Sequence, residues 1–178
     1  MKATIAICML FILFSCGQNA GDNIGPNEQI KFVEYIKALR DTVNISEENK
    51  ALRSVLLENG ISSTKIYVKD SLQMKFNAWQ AKVLDIIDRQ TSIEVNVGIT
   101  LDLTNTSAQK SIVFSSLLDQ SGKAITEGIK AGDQVKISGI FIDKKGFIDI
   151  DNYSDYKFSK NVFDNPEFKI KLTSIEKL

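Results

Sequence analysis

The chain contains no histidine. That removes imidazole bases, Ser–His and Cys–His nucleophile pairs, and the commonest transition-metal ligand. Cys8 and Cys16 are its two cysteines, both near the start. Ser121-Gly122-Lys123 ends like a phosphate-binding loop, but Leu117 stands where the first glycine is required and Ala124 where a Ser or Thr is required. Asp149-Ile150-Asp151-Asn152 opens like a calcium loop. Tyr153 and Ser154 then occupy the third-ligand and glycine positions, and Lys160 replaces the bidentate glutamate, so the stretch reads as a solvated strand end. No catalytic residue, metal ligand or cofactor is assigned, and the chain reads as non-enzymatic. What remains is recognition chemistry. Tyr153, Tyr156, Phe158 and Phe163 interleave with Lys157 and Lys160, a composition that can stack bases or sugars. Asp149, Asp151, Asp155 and Asp164 cancel the lysine charge, and the bland alternative is that these aromatics pin a loop over the end of the fold. Trp79, the single tryptophan, is expected in the core, since large aromatics bury area first. The ligand-binding residues stay unknown at this level.

The first residues are an address. Met1-Lys2 precedes an apolar run over residues 3–14, about a dozen residues against the roughly 20 a membrane span needs. A charged start and a short apolar run mark an export signal over residues 1–15. Its ending, Leu13-Phe14-Ser15-Cys16-Gly17, resembles the lipobox of bacterial lipoproteins, with Phe14 departing from the usual small or aliphatic residue. The resemblance implies that Cys16 becomes the mature N-terminus and carries lipid. The expected partner is then the membrane, and the expected location is the cell envelope, facing the periplasm or the surface. More than one acyl chain on that cysteine would make the anchorage stable. Residues 16–26 are small and polar, which predicts a flexible tether. Ten such residues reach at most about 35 Å. Of 22 basic and 22 acidic residues, the leader removes only Lys2, leaving 21 against 22, a net charge of −1. A nucleic-acid binder would show a basic excess, so nucleic acid is an unfavoured partner and a protein or oligosaccharide a better one.

The elements that must position any binding surface follow from periodicity. Ile30, Val33, Ile36, Leu39 and Val43 recur every three or four residues, predicting an amphipathic helix over residues 27–43 behind Pro26. Ser46 is a candidate N-cap for a second helix with Leu52, Val55 and Leu56 on its stripe and Asn59-Gly60 as its stop. Residues 27–60 therefore read as a helical hairpin, and residues 61–178 as the second unit. Residues 61–73 are ambiguous, with Ile66-Tyr67-Val68 suggesting a short strand.

The stretch 76–86 is the organising one. Trp79, Ala81 and Val83 alternate, then the phase changes to Leu84 and Ile86. Alternation marks a strand, and a one-residue slip marks a bulge that turns its other side inward. A strand that curls through both halves of a barrel needs such a bend. Ile93, Val95, Val97, Ile99, Leu101 and Leu103 form the longest unbroken alternation. Residues 105–109 read as a loop and residues 112–118 as a third strand. Residues 124–129 are a connector, either one helical turn or a brief strand. Val135, Ile137 and Phe141 mark a fourth strand in which Gly139 tolerates close backbone approach. Asp143-Lys144-Lys145-Gly146 turns onto Phe147-Ile148, and Phe168, Ile170 and Leu172 form the last strand, with Ile175 out of phase. The fold class is α+β, an N-terminal helical hairpin followed by an antiparallel barrel.

Phe76-Asn77-Ala78-Trp79, the Ala131-Gly132-Asp133-Gln134-Val135-Lys136-Ile137-Ser138-Gly139 turn and strand, and Asn165-Pro166-Glu167-Phe168 together resemble a family of bacterial OB-fold domains, similar to the tRNA-anticodon-binding-like OB group. Ala81 stands where members usually carry glycine. The resemblance covers about residues 76–175. It implies an OB-like barrel that binds oligonucleotides, oligosaccharides or proteins on the face of its second and third strands, and it supplies no catalytic residues.

Overall fold

A computed structural model describes residues 25–46, 48–101, 110–144, 147–148 and 161–178. Cys16 and its leader, the loop at 105–109, the acidic stretch at 149–152, and Tyr153, Asp155, Tyr156, Lys157, Phe158 and Lys160 lie outside them.

Helix α1, Asn27–Ile45, follows Pro26, whose fixed φ suits a helix start and whose missing N–H costs nothing there. Its buried stripe is Gln29, Phe32, Ile36, Arg40 and Val43. Ile36 and Val43 belong to the predicted face, whereas Ile30, Val33 and Leu39 sit at its border. The helix is rotated because its partner surface is aromatic and takes Phe32. Helix α2, Lys50–Asp70, is capped by Asn49, whose side chain accepts from the Leu52 N–H at 3.0 Å. Ser46 instead closes α1, donating from Oγ to the Val43 carbonyl at 2.7 Å.

Gly60 does not stop α2, and Ile66, Tyr67 and Val68 are helical. The glycine is there for packing: a Cβ at position 60 would lie 2.8 Å from the Phe163 ring. The buried stripe is Leu57, Ile61, Thr64 and Val68, while Leu52 and Val55 are exposed. Tyr35 and Tyr67 stack at 4.4 Å between the two helices. The Tyr35 hydroxyl donates to Ser63 Oγ at 2.9 Å.

Five strands close a barrel in the order β1 (Lys75–Arg89), β2 (Ser92–Thr100), β3 (Ser111–Asp119), β7 (Glu167–Lys177) and β4 (Gln134–Phe141). Between β4 and β7 lies a small hairpin of β5 (Asp143–Lys144) and β6 (Phe147–Ile148). The fold is thus α+β, two helices followed by an OB-like barrel. One seam corrects the antiparallel expectation. Val113, Phe114 and Ser115 run parallel to Glu167, Phe168 and Lys169, because the chain has crossed the barrel through β4 before the last strand returns beside β3.

The register of β1 on β2 slips between Val83 and Asp85, the bulge the phase change predicts. The strand does not turn Leu84 inward, however. Leu84 stays 42% exposed and covers Gly98, where a Cβ would stand 3.1 Å from its side chain. A second slip, between Phe76 and Trp79, has Ala78 at φ +53° and lets both rings enter the core three residues apart. The Ala78 N–H is taken by Ser138 Oγ at 3.0 Å.

The barrel core is continuous with the helices. Trp79 is fully buried, with the rings of Phe32, Phe76 and Phe114 centred 5.3, 4.9 and 5.9 Å away. Phe32 of α1 also meets Phe168 at 5.5 Å and Phe141 at 6.2 Å, so the first helix plugs one end of the barrel. Gln29 fastens it there. Its Nε2 donates to the Gln80 carbonyl at 2.7 Å, and its Oε1 accepts from the Gln80 N–H at 2.8 Å. The side-chain amide thereby pairs with β1 as a neighbouring strand would. Gly139 serves the close approach predicted for it, with the Phe76 ring 2.8 Å and the Lys171 carbonyl 3.0 Å from where a Cβ would stand.

The connector after β3 is a 3-10 helix, Gln120–Thr126, capped by Asp119 accepting from the Gly122 N–H at 3.0 Å. Phe163 lies in a second 3-10 turn, Val162–Asp164, and is fully buried. Asn161 begins that turn and donates to the Arg40 carbonyl of α1 at 2.8 Å.

Candidate interaction face

Strands β2, β3 and β7 lie side by side, and their outward residues form rows set by register. Asp85, Asn96, Ser115 and Lys169 make one row; Ile87, Glu94 and Leu117 make the next. Over these rows runs a groove of about 350 Å³, lined by Glu94, Ser115, Leu117, Ile142, Lys169 and Ile170. Ile142 follows β4 directly, so the groove reaches the start of the long β4–β7 connection.

The charges here are mutually engaged. Lys169 Nζ donates to Glu167 Oε1 at 2.8 Å and to Ser115 Oγ at 3.3 Å. Glu94 accepts from Arg89 Nε at 3.0 Å and from Asn96 Nδ2 at 3.4 Å. The hydrogen bond from Arg89 holds the Glu94 carboxyl below the ordinary carboxylate range, partly opposed by burial and helped by Asn96 and the positive charges of Arg89 and Lys169. Around this polar centre stand exposed apolar side chains, with Leu117 at 67% and Leu84 and Ile87 at its flank. A mixed surface of this kind offers hydrogen bonds at its centre and apolar contact at its edge.

On the barrel strands β1, β2, β3, β4 and β7 no aromatic side chain faces outward: Phe76, Trp79, Phe114, Phe141 and Phe168 all point into the core. Stacking platforms for single-stranded nucleic acid are therefore missing from this face among the described residues. Among the described residues, no group of three or more His, Cys, Asp and Glu side chains converges to hold a metal ion. No helix among them is long and apolar enough to cross a membrane.

The residues singled out by sequence scatter. Trp79 takes its core place. Phe163 is packed against α2 and is not available to a ligand. Asp164 pairs with Lys110, Oδ1 to Nζ at 2.6 Å. Lys123 of the rejected phosphate-loop match sits 3.3 Å from Asp88. Cys16 and the remaining aromatic–lysine positions lie outside the described residues. Glu94, Ser115 and Lys169 were missed. They are the polar alternates of their strands, legible as outward-facing, but their meeting depends on the β3–β7 seam. No protein-family model matches the chain, and no curated protein is recognisably similar to it.

Proposed function

We propose that this is a lipid-anchored cell-envelope protein whose OB-like barrel is a non-enzymatic binding module for another protein or an oligosaccharide. The carrying observation is the groove over β2, β3 and β7, where Glu94 and Lys169 are each hydrogen-bonded to a neighbouring charge and exposed apolar side chains suit recognition. The Ser-Cys-Gly ending of the leader supports the anchor at Cys16, followed by a tether too short to carry the barrel far from its bilayer. Single-stranded nucleic acid is the weaker reading, because the charge balance is even and the barrel strands among the described residues turn no aromatic outward.

Cys16→Ser tests the anchor. The variant is expected in the soluble fraction with an unchanged melting temperature, and its retention on membranes would remove the anchor from the reading. Leu117→Arg tests the face. Partners cross-linked to the native lipoprotein in solubilised membranes are expected to be lost from this variant while it stays folded. An oligonucleotide gel shift at low salt that disappears as salt is raised would instead favour nucleic acid.

A further inference from the structure

A second surface lies away from that groove. The parallel ladder between β3 and β7 ends at Lys169. From Lys171 onward β7 pairs on one side only, with β4, as far as Lys177. At Leu172 β3 is still alongside, its Ser116 Oγ accepting from the Leu172 N–H at 3.1 Å in place of a ladder bond, and beyond Leu172 the described residues pair no strand with that side. The 3-10 helix and the residues after it run nearby, yet no backbone hydrogen bond joins residues 120–130 to β7 among the described residues. Between them is an open groove of about 480 Å³ whose lining includes Ile125, Glu127, Ile129, Thr173, Glu176 and Lys177.

We propose that this edge of β7 takes an extended peptide from a partner protein by strand addition. An unpaired strand edge presents alternating N–H and C=O groups that only another extended backbone satisfies in register. In strand addition, main-chain bonds supply affinity and pockets for alternate side chains supply specificity. The apolar side chains of Ile125 and Ile129, both partly buried against the core, form the opposite wall and suit apolar residues at every second peptide position. Charge narrows the occupant further. Lys177 is held by Asp133 at 2.8 Å, which leaves Glu127 and Glu176 as the groove's carboxylates, with Lys136 as the β4 neighbour of Glu176. The complementary peptide is therefore extended, apolar at alternate positions and basic between them. A like-charged acidic strand is disfavoured.

The probe is a capped heptapeptide of alternating lysine and valine, titrated into the full-length protein in detergent. Its control is the same peptide with alternate backbone amides N-methylated, which keeps charge and apolar area but removes the donors. The expected result is saturable binding, weakened at least tenfold by N-methylation and by Ala124→Arg, which fills the groove from an exposed position. Amide-exchange protection is expected to rise over residues 171–177. Leu117→Arg, on the other groove, is expected to leave the affinity unchanged, so this proposal and the function proposed above fail separately. Equal binding of the N-methylated peptide would reduce the effect to charge and overturn strand addition, as would no binding at millimolar peptide. Loss of binding in Leu117→Arg but not in Ala124→Arg would move the peptide to the other face. A concentration-dependent dimer abolished by Ala124→Arg would show that a second copy of this chain occupies the edge, also against the proposal.

Discussion

The two ends of the barrel are closed by different means. At one end α1 inserts Phe32 among Trp79, Phe141 and Phe168, and Gln29 completes the hydrogen bonds of β1. At the other end the described residues place a short 3-10 segment, beside which they pair no strand with the outer edge of β7. The sealed end contributes to stability, and the other is the end at which we propose a partner peptide docks. The helical hairpin is therefore part of the barrel's core, although its sequence reads as a separate unit.

Substitutions can break this contrast. Phe32→Ala carries the largest expected effect. Removing a fully buried phenylalanine should cost about 3–5 kcal/mol. Ile129→Ala, at the open end and only partly buried, should cost about 1 kcal/mol or less. Urea denaturation of both variants measures the difference, and equal losses would erase the distinction between the ends. Gln29→Ala comes next. It deprives the Gln80 N–H and C=O of their partner and should cost about 1–3 kcal/mol by the same measurement. Gly60→Ala should destabilise by about 1 kcal/mol net. Crowding against Phe163 outweighs the gain in helix propensity. A gain in stability would show that the ring yields.

The smallest effect lies on the outer face. Glu94→Gln should cost about 0.5 kcal/mol near neutrality, since its partner Arg89 is more than half exposed to solvent. The Glu94 carboxyl is held below its ordinary value of 4.5, so its contribution is complete above that pH and disappears as pH falls through the lowered value. Thermal melts of wild type and variant should converge in acid and differ near neutrality.

The strands were legible because each buries one face, and period-2 alternation survives any tertiary context. Val83 to Leu84 even disclosed its bulge. The slip beside Ala78 is also a change of phase, from Phe76 to Trp79, but only one apolar residue precedes it, too few to set the first phase. The helices were harder because α1 carries apolar residues on two adjacent faces. Only the aromatic end of the barrel decides that Phe32, and not Val33, goes inside. Asn59-Gly60 has the composition of a helix stop, and only Phe163, far along the chain, explains why the helix runs on. The candidate face was half legible. Glu94, Ser115 and Lys169 are recognisable as outward-facing, but the parallel neighbourhood of β3 and β7 is a long-range fact that no local pattern contains.

Phe32 and Phe168 touch although one belongs to the first helix and the other to the last strand. Both the plug and the parallel seam wait for the C-terminal strand, so a chain still emerging from the ribosome has nothing to close on. Contacts so distant along the polypeptide make assembly slow, on a scale of milliseconds to seconds for non-local β topologies. Until β7 arrives, Phe32, Phe114 and Phe141 lack the Phe168 ring that packs against all three.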